Sequence, residues 1–203
     1  VGLNHLLAPY KVSSFTFPFV LITWFVLLAA RIMHGLPHGS LGTPGLPGRF
    51  SSSLDLSFVN LLVYWLRGIS QVFLVNSWVT GLLFLIGLAI SNRWAAIWAA
   101  IASALALAVA VLYQCNSEDI ANGLFGFSPV LTGIALGTTF YKVNWRTFLW
   151  SLTGIIATVF IQAAMDTFFT PLGIPTLTGP FCVATWLFLL PHLNLNKKAL
   201  QQG

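Results

Sequence analysis

The residue types that most often perform catalysis or bind metals are scarce in this sequence and lie far apart. The acidic residues and histidines form no paired carboxylates, no nucleophile with a neighbouring base and no cluster of ligands. They are Asp55, Glu118, Asp119, Asp166, His5, His34, His38 and His192. The cysteines, Cys115 and Cys182, lack the spacing of a metal site or a disulfide framework. The sequence therefore predicts no catalytic residue, no metal and no cofactor, and we do not expect an enzyme.

Neutral hydrogen-bonding residues are the polar groups that remain inside the apolar stretches. Gln71, Thr16 and Thr178 stand among many phenylalanines. Their oxygens accept hydrogen bonds without carrying charge, which suits a neutral solute better than an ion. Arg67 and Asp166 lie near the ends of apolar stretches, where snorkelling or a structural ion pair is the expected role.

The composition is that of an integral membrane protein. Hydrophobic residues make up 57% of the chain and charged residues only 6%, with a mean hydropathy of +0.87. A soluble domain usually carries about 25% charged residues. The basic residues are spread singly apart from Lys197 and Lys198, so the net charge of +5 forms no patch typical of nucleic-acid binding. We therefore expect membrane lipid, and no nucleic acid, as a partner.

Apolar stretches long enough to approach the thickness of a bilayer recur along the chain. A full crossing needs about 20 apolar residues. The predicted spans are 17–33, 54–75, 79–90, 94–113, 145–168 and 178–191. Residues 34–53 are rich in Gly, Pro and Ser and are predicted to be a linker, and residues 193–203 form a polar C-terminal tail.

One apolar stretch, FGFSPVLTGIALGTTF at 125–140, is too short and too rich in glycine for a comfortable crossing. Pro129 is placed where it can open a helix. Irregular backbone is tolerated at membrane depth where protein or a wet cavity surrounds it. We predict a re-entrant half helix, and the alternative is an interfacial loop followed by a short span.

Two stretches of the chain share a pattern, FTFPFVLITWFVL from Phe15 and LTGPFCVATWLFLL from Leu177. Five identities recur 162 residues apart: Thr16/Thr178, Pro18/Pro180, Phe19/Phe181, Thr23/Thr185 and Trp24/Trp186. The alternative is chance recurrence in an apolar, aromatic-rich sequence. We predict an internal duplication whose first copy is mostly missing from this chain.

This duplication predicts the organisation of the chain. Residues 1–33 would be the last helix of a first repeat, 34–53 a linker, 54–192 a second repeat with five spans and the half helix, and 193–203 a tail. An odd number of crossings in each copy would make the copies inverted, with a site at their interface near the bilayer midplane. The predicted fold class is thus an all-α, multi-span helical channel of inverted repeats, of which the chain is a fragment.

Three runs of sequence together resemble the urea transporter family. They are RGISQVFLVNSWVTGLLFLIGL (67–88), NGLFGFSPVLTGIALG (122–137) and IPTLTGPFCVATWLFLL (174–190). Their order and spacing are similar to one complete half of that two-fold repeated family, and residues 1–33 resemble the end of the preceding half. The resemblance implies a homotrimer of channel-like subunits in the plasma (inner) membrane. It also implies that urea moves down its gradient through a pore between the inverted halves of each subunit.

The resemblance also implies roles for individual residues. Gln71 matches the pore glutamine of a Gln-x-x-Phe motif, and Thr178 and Thr16 match two threonines that face urea midway through the pore. Phe127 matches a ring that stacks on urea, and Leu131 matches an apolar pore-lining position.

One position departs from the family pattern. Leu74 stands three residues after Gln71, where the family often has phenylalanine, and Phe73 is adjacent. Either Phe73 supplies the apolar slab by a local rotation, or one entrance has an aliphatic wall. Three alternatives to a urea channel remain open: a channel for another small neutral solute such as ammonia, water or short amides, a non-conducting membrane assembly subunit, and a membrane-embedded enzyme.

Overall fold

The computed structural model describes residues 2–10, 12–33 and 54–192, and all regular structure in these ranges is helical. The predicted linker and the predicted C-terminal tail lie outside the described residues. The helices are α1 (Gly2–Leu7), α2 (Phe17–Ala30), α3 (Phe58–Ser70), α4 (Trp78–Ser91), α5 (Arg93–Leu112), α6 (Ser117–Ala121), α7 (Phe127–Ile134), α8 (Trp145–Phe169) and α9 (Gly179–Leu189). The all-α fold expected from the sequence is confirmed.

Polar side chains start several of these helices. The Ser57 hydroxyl accepts the backbone N–H of Asn60 at the start of α3. The Asn92 side chain accepts two backbone N–H groups at the start of α5, and Asn144 accepts the N–H of Thr147 at the start of α8. Such caps satisfy N–H groups that have no partner within the helix, so each apolar helix begins at a defined residue.

The second and third predicted spans form a bent pair. Helix α3 ends in a short 3-10 turn, Gln71–Phe73, and the pair is bent by 72° before α4. Leu74 has a φ of +57°, in the left-handed region that a helix cannot continue through. Residues 54–57 are not helical, so the helix in the predicted span 54–75 is shorter than expected and begins after the Ser57 cap.

Two of the described helices, α5 and α8, are long and apolar enough to cross a membrane, and the bent pair would make a third if counted as one span. Three apolar helices are shorter, namely Phe17–Ala30, Phe127–Thr139 and Gly179–Leu189. The last stretch but one, Phe127–Thr139, is the one that the sequence predicts to be a half helix. It consists of α7 followed by a π turn, Ala135–Thr139. The protein is a helical membrane protein, whereas the five full spans, the re-entrant path and the domain division remain predictions.

Small residues let α5, α7 and α8 pack closely around a common core. Ala99 and Ala102 of α5 are completely buried, as is Ile155 of α8. A Cβ atom added to Gly133 of α7 would lie only 2.8 Å from the Cβ of Ala102. Close helix contacts through small residues are typical of membrane proteins, and this contact holds α7 and its first residue, Phe127, in place.

Candidate functional site

The two repeated threonines meet in the structure. The hydroxyl oxygens of Thr16 and Thr178 are 2.7 Å apart, so one hydroxyl donates a hydrogen bond to the other. Each threonine directly precedes a short helix, α2 or α9, and neither side chain caps its own helix. The residues before them, Phe15 and Leu177, both adopt left-handed backbone, with φ values of +49° and +51°. The two segments thus share an unusual local conformation and present their hydroxyls to each other.

Contacts around the threonine pair are reciprocal. The Trp24 indole donates to the carbonyl of Pro175 at 2.9 Å, and the Trp186 indole donates to the carbonyl of Ser13 at 2.8 Å. Adding 162 to Trp24 and Ser13 gives Trp186 and Pro175, so exchanging the two segments reproduces the contact. This exchange is what a local two-fold relation between the segments requires.

Aromatic rings flank the threonine pair on several sides. The ring of Phe15 lies 5.2 Å from that of Phe181, and the ring of Phe17 lies 4.9 Å from that of Trp186. Thr16 remains exposed and Thr178 half-buried. The chain segments on either side of the two hydroxyls are thus packed together through aromatic rings.

Gln71 is buried at the end of α3. Its Nε2 donates to the carbonyl of Asn122 at 2.9 Å, which leaves Oε1 as the acceptor of the amide. Glycine backbones bring this end of α3 close to α7: a Cβ atom on Gly126 would lie 2.5 Å from the Cα of Gly68. Only glycine allows the two backbones to come this close. Gln71, which follows α3, and Phe127, which begins α7, therefore lie on neighbouring elements.

A cavity of about 320 Å³ lies beside Phe127 and Leu74; we call it the acidic cavity. Its wall is formed by Leu74, Asp119, Leu124, Phe125, Phe127, Gln162, Asp166, Thr170, Ile174, Pro175, Thr176 and Leu177. One wall residue, Leu177, directly precedes Thr178 in the chain. The structure thus puts Leu74 and Phe127 on one wall, together with polar residues from α6 and α8.

Phe73 and Leu131 lie elsewhere, in a groove of about 350 Å³ that we call the apolar groove. The Phe73 ring stacks on that of Phe84 with 4.1 Å between the ring centroids. Because Leu74 adopts left-handed backbone, its side chain and that of Phe73 point to different cavities. Leu74 thus shares a cavity with Phe127 and Phe73 does not, and the choice between the two alternatives left open by the sequence stays a prediction.

The sequence analysis placed none of the five polar residues of the acidic cavity there. They are Asp119, Gln162, Asp166, Thr170 and Thr176. The Thr176 hydroxyl donates to the Asp166 carboxylate at 2.7 Å. A signal was present, because Gln162 and Asp166 are four residues apart in a largely apolar helix and therefore share one face.

The ion pairs considered for Arg67 and Asp166 are absent among the described residues. Arg67 donates to the carbonyl of Ala121 at 2.9 Å, and Asp166 accepts from Thr176. Their roles are therefore hydrogen bonding to neutral groups of the loop and helix ends. In the same described ranges no three His, Cys, Asp or Glu side chains cluster as metal ligands.

The acidic residues of the cavity affect the pKa of the neighbouring Cys115 thiol. Burial raises the pKa of Cys115, and the negative charges of Asp119 and Asp166 raise it further. Burial also raises the pKa of Asp119, with Glu118 adding to the effect and the hydrogen bond from Asn116 opposing it. Both carboxylates therefore lie close enough to Cys115 to influence its ionisation.

Asp119→Asn is expected to speed the alkylation of Cys115 by N-ethylmaleimide at pH 8 about twofold to threefold. The thiolate is the reactive form, and removing a nearby negative charge lowers the thiol pKa and raises the thiolate fraction. Mass spectrometry of Cys115 over time measures the rate. Glu118→Gln is the matched control, because it removes the same charge from the same helix without being a cause of the Cys115 pKa shift. Equal acceleration in both variants, or none in Asp119→Asn, would contradict the placement.

Comparison with known proteins identifies the family. The family model described as urea transporter matches residues 1–193. The chain belongs to the urea transporter family. Among curated relatives, Urea transporter 1 of Ovis aries is 32% identical over 190 residues, covering 93% of this chain and 49% of that protein. Urea transporter 1 of Capra hircus is also 32% identical, and that of Mus musculus is 30% identical, each with 49% of its length covered.

The chain therefore spans about half the length of the curated urea transporters it matches. All three sequence runs that carried the resemblance lie within the matched residues 1–193. The resemblance stated from the sequence is thus confirmed at the level of the family. The roles assigned to Gln71, Phe73, Leu74, Phe127, Leu131, Thr16 and Thr178 remain predictions.

Proposed function

We propose that the protein containing this chain conducts urea passively across a membrane. The single observation that carries the proposal is the pair of hydroxyls on Thr16 and Thr178, 2.7 Å apart and bordered by aromatic rings. The family match supports urea as the solute. The plasma (inner) membrane is the proposed location.

The chemistry of urea fits such a surface. Urea is small, flat and uncharged, with four N–H donors in its plane, so it needs acceptors along one edge and apolar surfaces above and below. Threonine hydroxyls and the Gln71 amide oxygen are acceptors that replace hydrogen bonds to water. An unmade bond of this kind costs about 1 to 3 kcal/mol, so a few of them decide whether urea passes.

We assign the apolar surfaces to Phe127 and Leu74, which border one cavity, and we place Gln71 beside them as an acceptor. Phe73 and Leu131 border the apolar groove and are proposed to contact the solute only if the path runs through that groove. Ions are excluded at the threonine pair, because two neutral hydroxyls among aromatic residues offer no substitute for a hydration shell.

The proposed pore needs a second wall. The curated relatives are about twice as long as this chain, and we propose that a first repeat of inverted orientation supplies that wall. The reciprocal contacts of Trp24 and Trp186 support this arrangement, since they follow the exchange of two segments. Each proposed subunit has its own pore, and three subunits form a homotrimer.

Urea efflux from proteoliposomes tests the function. We expect the urea flux of vesicles that contain the complete protein to be at least tenfold above that of protein-free vesicles. Sodium or proton gradients and their ionophores should not change it, because the two threonine hydroxyls that carry the proposal are neutral acceptors. Glycerol and ammonia are the comparison solutes.

The outcomes separate the remaining alternatives. If the protein raises the flux of ammonia or glycerol above that of protein-free vesicles by a larger factor than the flux of urea, it is a channel for another neutral solute. No solute flux from protein that is folded in detergent and in vesicles would indicate a non-conducting assembly subunit. Dependence on an ion gradient would overturn passive conduction.

A further inference from the structure

The direction of the Gln71 amide is fixed by the group that its nitrogen contacts. Gln71 is 7% exposed, and its Nε2 donates to the carbonyl of Asn122 at 2.9 Å. A carbonyl oxygen accepts hydrogen bonds and cannot donate one, so the amide cannot turn over without losing this bond. While the Asn122 carbonyl stays in place, Nε2 is held there and Oε1 is directed away from it.

The loop that carries this carbonyl lies directly against the end of α3. Arg67 donates to the carbonyl of Ala121 at 2.9 Å. One helical turn later along the chain, Gln71 donates to the next carbonyl, that of Asn122. Gly123 follows with a φ of +74°, and a Cβ atom there would lie 2.5 Å from the carbonyl carbon of Arg67. Two side chains from one end of α3 therefore contact two successive carbonyls of the loop.

The side chain of Asn122 is bound by a residue from the same turn as Gln71. Asn76 Nδ2 donates to Asn122 Oδ1 at 2.8 Å, and we call these two residues the asparagine pair. The turn between Gln71 and Asn76 is closed by the Leu74 N–H, which donates to the carbonyl of Gln71 at 2.9 Å. Hydrogen bonds thus connect Gln71 to Asn122, Asn122 to Asn76, and the turn back to Gln71.

We propose that Asn76 and Asn122 are positioning residues that hold the Gln71 amide with Oε1 available to urea. Neither asparagine has to contact the solute. Breaking the asparagine pair loosens the loop, so that the Gln71 amide is free to turn and to present Nε2, a donor, to the N–H donors of urea. The effect on urea rests on the proposed function, whereas the coupling between Asn76 and the Gln71 amide does not.

Urea flux through the complete protein with Asn76→Leu tests the positioning role. We expect the flux to fall about threefold to tenfold, because the Gln71 acceptor is no longer held in place. In a Gln71→Leu background the same substitution should change the flux by less than about twofold, since it acts only through the Gln71 amide. A merely structural loss would be equally large in both backgrounds and would overturn the proposal.

Conservative and control variants separate the hydrogen bond from the bulk of the side chain. Asn122→Asp keeps an acceptor for Asn76 and should conduct urea at least about threefold faster than Asn122→Leu. Asn60→Leu is the matched control, because Asn60 Nδ2 donates to Asp55 at 2.7 Å, a side-chain bond of similar length that does not involve Gln71. Its flux should stay within about twofold of the unmodified protein.

Thermal unfolding confirms that each of these variants is folded. Asn76→Ser, which shortens the side chain without adding apolar volume, replaces Asn76→Leu if the leucine variant does not fold. Asn122→Asp and Asn122→Leu with equal urea flux would overturn the role of the asparagine pair.

The Gln71 amide also gives a signal that does not depend on urea. NMR of the complete protein with ¹⁵N-labelled glutamine side chains detects the Nε2 protons, and Gln71→Leu identifies the Gln71 resonance by its disappearance. Asn76→Leu should move this resonance towards the position of an amide without a hydrogen bond. Asn60→Leu should leave it in place, and an unmoved resonance in Asn76→Leu would overturn the coupling.

Flux and NMR together distinguish this proposal from the proposed function. Urea flux that falls in Gln71→Leu but not in Asn76→Leu, with an unmoved Gln71 resonance, would overturn the positioning role and leave the urea channel intact. A Gln71 resonance that responds to Asn76→Leu in a protein without urea flux would overturn the channel and leave the coupling of Asn76 to Gln71 intact.

Discussion

Thr178→Val is expected to lower urea flux through the complete protein about tenfold or more. Valine keeps the shape of threonine but removes the hydroxyl that we propose as an acceptor for urea. A barrier higher by about 1.4 kcal/mol, within the range for a lost hydrogen bond, slows passage tenfold. Stopped-flow light scattering of urea-loaded proteoliposomes measures the flux.

Thr185→Val provides the matched control for this substitution. Thr185 lies in α9, the helix that begins directly after Thr178. It is completely buried, and its hydroxyl has no hydrogen-bond partner among the described residues. Its loss should leave urea flux within twofold. Thr16→Val should resemble Thr178→Val, and the double variant should lose less than the product of the single effects, because the two hydroxyls interact directly. Unchanged flux in Thr178→Val and Thr16→Val would contradict the proposed path.

Gly81→Ala is expected to lower the free energy of unfolding of the protein by about 3 kcal/mol. A Cβ atom at Gly81 would lie 2.0 Å from the carbonyl oxygen of Leu66, a backbone atom that cannot move without shifting α3. Overpacking of this kind typically costs about 1 to 3 kcal/mol, and backbone clashes lie at the upper end. Thermal unfolding in detergent, followed by size-exclusion chromatography of the remaining folded protein, measures the loss.

Gly87→Ala tests whether the effect belongs to the α3–α4 contact. Gly87 lies in the same helix, is exposed, and a Cβ atom there would meet nothing within 4 Å. Alanine favours a helix over glycine by up to about 1 kcal/mol, so this variant should unfold at the same or a higher temperature. A Gly81→Ala protein as stable as Gly87→Ala would show that α3 and α4 are not packed as described.

The threonine pair illustrates how much of the site could be read from the sequence. The repeated pattern around Thr16 and Thr178 predicted two related segments, and the structure brings their hydroxyls together. A repeat is visible in sequence because the same local contacts require the same residue types twice. The family match rests on the same runs of sequence.

Cavity membership could not be read in the same way. The acidic cavity joins Asp119 of α6 with Gln162 and Asp166 of α8 and with Thr176, which lies in the loop before α9. Their proximity depends on how short segments fold back against long helices. Sequence spacing could indicate only that Gln162 and Asp166 share a face, and no pattern connects either of them to Asp119.

The sequence by itself determined that this is an all-helical membrane protein of the urea transporter family, because hydropathy and repeated motifs are properties of the chain alone. The tertiary structure decided that Leu74, rather than Phe73, faces the cavity of Phe127. The reason is the left-handed backbone of Leu74, a conformation that costs a leucine energy. In this turn the Leu74 N–H donates to the carbonyl of Gln71, and the Ser70 hydroxyl donates to the carbonyl of Val75. The residue types in that turn do not predict this conformation.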